Sequence, residues 1–406
     1  MLISSRSVIP TAVYIHIPFC RRRCYYCDFP ISVVGDKGGK SASLMVEEYV
    51  AALIKEIELS VSEKQPVETI FFGGGTPSLL SPSALSEIIQ AVARQFGIAA
   101  NAEISMEIDP GTFDRHRLQG YLAGGLNRFS LGVQTFDPEL LQVCGRSHTL
   151  EDVFEAVNTI EQLKIDNFSL DLISGLPHQT LEQYQASLEQ AIAIAPKHLS
   201  CYDLVLEPVT AFGKQYQPGE KPLPDDEDTA QMYRLTQQTL TAAGYQHYEV
   251  SNYAQPGYQC RHNRIYWENK PYYGFGMGAS SYIDGRRFTR PRTRKEYYSW
   301  LDGGAVIDEP KISATDYLLE TLMLGLRLAA GIETKRFEPK TLQKIWSCLQ
   351  PYYKQGWIEV VDCNSKLVKL ENSSQLSRSD CKIRFNDPEG FLFSNTVLAT
   401  LFEKLE

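Results

Sequence analysis

The 406-residue sequence has no long hydrophobic run. Its start, Met1-Leu2-Ile3-Ser4-Ser5-Arg6, carries no apolar core of secretory length, and no later segment approaches a membrane span. It has no excess of positive charge either. Forty Lys and Arg stand against 49 Asp and Glu, a net charge of −9, which excludes a general nucleic-acid binder. The nine cysteines do not form the evenly spread set of a disulfide framework: the number is odd and three crowd into one short loop. That usage fits a reducing compartment, so a cytoplasmic location is expected. Hydrophobic residues at 43% and charged residues at 22% are ordinary for a globular chain, and the length allows two or three domains.

What is there begins with Cys20, Cys24 and Cys27, a C-x3-C-x2-C spacing directly after an apolar stretch at 11–17. One loop can aim three sulfurs at one point. A closed zinc site wants four protein ligands, and the next cysteine along the chain is Cys144. Three thiolates suit a [4Fe–4S] cluster with one iron left open. With Tyr26 immediately before the last cysteine, the motif resembles that of the radical S-adenosylmethionine (SAM) superfamily.

Apolar strands read at 11–17, 69–72, 103–108, 128–133, 168–173 and 199–206. Helical spacing lies between them, for instance Leu85, Ile88, Ile89, Val92 and Phe96, then Val153, Val157, Ile160 and Leu163. Strict alternation predicts a parallel sheet with right-handed crossovers. Six units fall short of the eight that close a TIM barrel. The expected fold is α/β, and the superfamily resemblance implies a partial (β/α)6 TIM-like barrel. A Pro-rich acidic stretch at 217–228 marks a domain edge. The division expected is 1–215 for the barrel, 216–310 for a connecting α/β region and 311–406 for a C-terminal α+β, winged-helix-like domain. That last domain reads as helices carrying Leu318, Leu322, Leu326, Leu342 and Ile345, strands at 357–361 and 367–370, and a final helix with Val397 and Leu401.

The strand ends carry the polar residues. Gly73-Gly74-Gly75-Thr76-Pro77 ends the second, Glu107 the third, Gln134 the fourth with Arg146 shortly after, and Asp171 belongs to the fifth. In chain order YIHIPFC, GGGTP, MEIDP, GVQTFD and DLISGLP resemble the family of oxygen-independent coproporphyrinogen III oxidases (HemN) and their haem-chaperone relatives (HemW). The resemblance covers nearly the whole chain. It implies that Cys20, Cys24 and Cys27 hold the cluster and that Tyr14, Gly74 and Glu107 contact a first SAM. It further implies that Gly75, Thr76, Gln134, Arg146 and Asp171 occupy adenosyl-ligand or second-SAM positions. The oxidases carry a further cysteine two residues after the third, where this sequence has Phe29, and a longer extension than the 19 residues before Cys20. The chaperone branch is therefore expected, with oxidative decarboxylation of a porphyrinogen as the alternative; whether SAM is cleaved stays open.

In the second half, Cys260-Arg261-His262-Asn263-Arg264-Ile265-Tyr266-Trp267 supplies an imidazole, a thiol and two flat aromatics. Haem takes axial His or Cys. HNRIYW matches the H-N-x-x-Y-W signature of the haem-binding relatives, which implies His262 as the haem residue, with Cys260 as rival. Six cations between Arg286 and Lys295 are candidates to pair with haem propionates, Arg290 and Arg292 among them. Arg21, Arg22 and Arg23 are expected to steer an acidic flavodoxin or ferredoxin. The remaining partners implied are haem and a recipient haemoprotein, whether soluble or membrane-associated; no nucleic-acid partner is expected.

Overall fold

Buried parallel strands are apolar on both faces, and Ala12–Ile17 (β1) is buried at five of its six positions. In the structure, a computed structural model describing residues 9–36, 39–369, 376 and 381–405, β1 lies near one edge of a nine-stranded sheet. The N-terminal residues 1–8, Lys37 and Gly38 of the glycine-rich stretch after the cysteines, and the end at Leu370 of the strand read at 367–370 lie outside the described residues.

The other strands are Val67–Gly74 (β2), Ile98–Ile108 (β3), Arg128–Gln134 (β4), Phe168–Ser174 (β5), His198–Asp203 (β6), Gln246–Glu249 (β7), Asn252–Ala254 (β8) and Tyr273–Phe275 (β9). Their order is β9-β1-β2-β3-β4-β5-β6-β8-β7. From β9 to β6 all pairings are parallel, and β8 and β7 add antiparallel to the far edge. The six strand–helix units appear as expected, although the sixth strand stops at Asp203. The segment 216–310 contributes β7, β8 and β9 to this same sheet. Strands of three or four residues are too short to display a two-residue period, so the sequence did not reveal them.

Local signals place the crossover helices. Ser81 caps Pro82–Phe96, while Thr149 with Asp152 and Thr180 with Gln183 form reciprocal capping boxes on Leu150–Gln162 and Leu181–Ile194. Their apolar faces and the strands make one core that includes Ile88, Val92, Leu131, Val157 and Leu170. Helix Arg261–Trp267 packs on β2 and on helix Ala314–Gly325. A second core, with Leu322, Ile345, Leu349, Ile383 and Leu401, belongs to the C-terminal part. There Ile332–Glu333, Lys382–Phe385 and Ile358–Val361 form a small antiparallel sheet against helices Pro339–Gln355 and Ser394–Leu405. No helix among the described residues is long and apolar enough to cross a membrane.

Candidate cluster and SAM site

The cysteine loop is clamped at its base. Phe19–Cys20 pairs with Ser32–Val33, so the chain leaves and returns side by side. Beneath it the glycine turn at the end of β2 makes close backbone contact: Gly75 N donates to Ile17 O at 2.8 Å and Thr76 N to Phe19 O at 2.7 Å. A Cβ on Gly75 would stand 2.7 Å from Phe19 O, so this glycine is needed to seat the loop. On the other side Tyr25 N donates to Cys144 O, and Phe212 N to Tyr25 O. Thr76 Oγ1 donates to Cys20 Sγ at 3.7 Å, and Arg146 Nη1 to Cys24 Sγ at 3.5 Å.

Burial pushes the Cys20 thiol up to about 12 and raises that of Cys27, so cluster binding must displace their protons. Among the described residues no three His, Cys, Asp or Glu side chains converge on a point suited to a single ion. A polynuclear cluster, whose irons hold the thiolates apart, does not require that convergence. The donor set of three partly exposed, unbridged thiols on one loop, each bordering the same cavity, fits such a cluster.

That cavity, of about 490 Å³, lies at the C-terminal ends of the strands, where such sheets place chemistry. It is lined by Cys20, Cys24, Cys27, Gly74, Gly75, Thr76, Glu107, Gln134, Arg146 and Asp171. Gly74 N donates to Glu107 Oε2 at 3.0 Å. Burial and the nearby Asp171 push the Glu107 carboxyl up to about 8. Asp171 is also raised by burial, and accepts a hydrogen bond from Ser130 at 3.0 Å. Gln134 sits at φ 72°, a left-handed backbone state uncommon for a non-glycine residue, next to an irregularity in the β4–β5 register. Arg146 ion-pairs with Asp109 and donates to Gly132 O at 3.0 Å, which fixes it between the loop and β4. Asp109 and Tyr26, which also line the cavity, were not assigned from sequence. The acid two residues past Glu107 was the available signal.

A second, inner chamber of about 410 Å³ shares Phe29, Gly74, Glu107, Ser130, Asp171 and Tyr202 with the first. Tyr14 lines this chamber rather than the outer one. Its hydroxyl donates to His16 Nδ1 at 3.0 Å, and His16 Nε2 in turn donates to Pro30 O at 2.9 Å. Burial brings the His16 imidazole down to about 4, so it stays neutral.

His262 borders neither chamber. It is 0% exposed, its Nδ1 bonds Thr69 Oγ1 at 2.8 Å, and its Nε2 bonds the Tyr266 hydroxyl at 2.7 Å. Both ring nitrogens are engaged, and it is Asn263 and Tyr266 of the same helix that face the inner chamber. The rival Cys260 is as buried, with its thiol on Glu103 and pushed up to about 12. Arg290 is likewise buried, 5% exposed and paired with Glu56 at 2.8 Å. Arg292 does line the inner chamber, donating to Asp28 O at 2.8 Å.

Residues 14–191 match the Radical SAM superfamily and residues 312–363 the HemN C-terminal domain. The chain is 50% identical over 408 aligned residues to the haem chaperone HemW of Synechocystis, covering 98% of each chain. It is 40% identical to HemW of Escherichia coli, covering 79% of this chain and 83% of that one. Among solved structures it is similar to the radical SAM coproporphyrinogen III oxidase HemN of Escherichia coli, with TM-score 0.77, 22% identity and coverage of 97% and 90%. At that identity the likeness concerns the fold. From the three-cysteine loop, the converging strand ends and these likenesses, the chain belongs to the HemW family of radical SAM proteins.

Proposed function

We propose that the chain is a haem chaperone: it holds a [4Fe–4S] cluster on Cys20, Cys24 and Cys27, binds SAM beside it, and carries haem to a recipient haemoprotein. The carrying observation is the convergence of three unbridged cysteines and seven strand-end residues on one cavity, with Phe29 at its rim, 54% exposed. When bound, cluster and SAM supply one-electron chemistry. The chain's own residues prepare the site. Glu107, oriented by Gly74 N, is placed to accept from an ammonium group, and Arg146 is fixed by Asp109 against the loop. For His262 to take haem as a ligand, helix Arg261–Trp267 must move, releasing the bonds to Thr69 and Tyr266. Tyr25 and Phe29, both exposed, and the cations Arg21 to Arg23 form the face offered to a flavodoxin or ferredoxin donor.

The test is anaerobic. The cluster is reconstituted, and the protein is incubated with reductant and SAM, with haem in one arm and coproporphyrinogen III in the other. Stoichiometric haem binding with no vinyl product establishes the chaperone reading. Vinyl product without haem binding makes this chain an oxidase.

A further inference from the structure

The inner chamber is lined by a buried cation whose side chain makes no ion pair or hydrogen bond among the described residues. Arg128 opens β4, is 2% exposed, and lines the chamber. Among the described residues it makes no ion pair, and its buried Nε has no hydrogen-bond partner. The two acids whose charges act on it are committed elsewhere. Glu103 accepts from the backbone N of Arg261 and of His262, and Asp171 accepts from Ser130. A guanidinium has five donors in a fork that matches the two oxygens of a carboxylate, and a buried one without such a partner is unusual. Around it Tyr14, Ser130, Ser200, Tyr202 and Tyr266 bring hydroxyls to the same chamber, and Arg292 reaches it from the rim. Burial raises the pKa of Asp171 on the shared wall, which lessens the repulsion an entering anion would meet.

We propose that the inner chamber is a carboxylate-binding site, with Arg128 as its anchor, for the acid end of a ligand entering through the cluster cavity. The inference rests on the reading that this chain binds SAM and haem. Each offers a carboxylate, SAM on its methionine end and haem on its propionates. The competing account makes Arg128 only a distant counter-charge to Glu103.

Full-length, cluster-reconstituted protein is titrated with two matched pairs: SAM against decarboxylated SAM, and haem against haem dimethyl ester. Wild type, Arg128→Gln and Arg128→Lys are compared. In the wild type, the acid member of one pair is expected to bind roughly tenfold to a hundredfold tighter than the partner lacking the free carboxylate. Arg128→Gln erases that preference, Arg128→Lys retains part of it, and affinity for the partner lacking the free carboxylate is unchanged. The pair affected identifies the carboxylate. Equal acid preference in wild type and Arg128→Gln overturns the proposal, as does a wild type with no preference in either pair, a result that needs no variant to fold. Arg128→Lys keeps the positive charge near Glu103 and Asp171, so it maintains the fold while losing the two-pronged contact. Whether the wild type binds haem or SAM at all is read from the same titrations and decides the chaperone reading separately.

Discussion

At the scale of single residues, the site works by placing ionisable groups where water cannot stabilise their charge. Glu107 shows the consequence most directly. Its carboxyl titrates near 8 in the folded chain against an ordinary 4.5, so the native state holds this proton more tightly than the unfolded state. Stability from this group is complete below about 4.5 and is lost as pH rises towards 8. Glu107→Gln should therefore flatten the loss of thermal stability between pH 5 and 8 in the cofactor-free protein. It should also abolish SAM binding, because the amide cannot carry the charge that an ammonium requires. A variant that binds SAM normally would remove Glu107 from the site.

His262 is the second residue-scale case. Removing its ring leaves Thr69 and Tyr266 unsatisfied in the interior, so His262→Ala should lower stability by about 2–4 kcal/mol. It should also lose haem stoichiometry and shift the Soret band of any haem retained. Cluster content is expected to stay normal, since His262 borders neither chamber. An unshifted Soret band would mean that the imidazole positions Tyr266 and never touches iron.

Among elements, the contact between the glycine turn of β2 and the cysteine loop governs the cluster site. Gly75→Ala inserts a methyl 2.7 Å from Phe19 O and 2.8 Å from Pro18 C. The loop must lift, at a cost of about 1–3 kcal/mol. Iron and sulfide per chain after reconstitution should fall well below wild type, with the sheet intact by circular dichroism. Normal loading would show that the loop tolerates the shift. The run GGG was legible as a close-approach site. What approaches, the loop backbone itself, was not, because the partner lies about 55 residues away in sequence. The helix Arg261–Trp267 shows the reverse. Its residues stood out in sequence as chemistry, yet which of them face a cavity depends on how the helix lies across β2. That orientation comes from Glu103, on β3, accepting from the helix's first amides.

Across the whole molecule, the barrel and the C-terminal part are joined by partly buried polar contacts. Glu249, fully buried at the end of β7, pairs with Arg327 at 2.7 Å and also accepts from Asn252. Arg287 joins Glu320 at 2.9 Å, and His247 joins Asp387. Arg327→Met leaves the Glu249 carboxylate without its cation. It should cost about 2–4 kcal/mol, somewhat less than breaking a fully buried pair, since Arg327 is itself partly exposed. Calorimetry should then show an unfolding transition broader than that of the wild type, or split in two. An unchanged transition would mean that the two cores are held together by apolar packing alone.

Sequence alone determined the three-thiol loop, the six alternating units and the strand-end residues Gly74, Thr76, Glu107, Gln134, Arg146 and Asp171. Each rests on local information: spacing within one loop, periodicity within one element, or a position at the end of an apolar run. The tertiary structure decided what depends on distance between remote segments. It closed His262 off between Thr69 and Tyr266, paired Arg290 with Glu56, extended the sheet with strands too short to show a period, and left Arg128 in the inner chamber with no ion pair among the described residues. Burial and pairing are properties of the packed chain, and no local pattern encodes which charge will meet an opposite one and which will face a cavity.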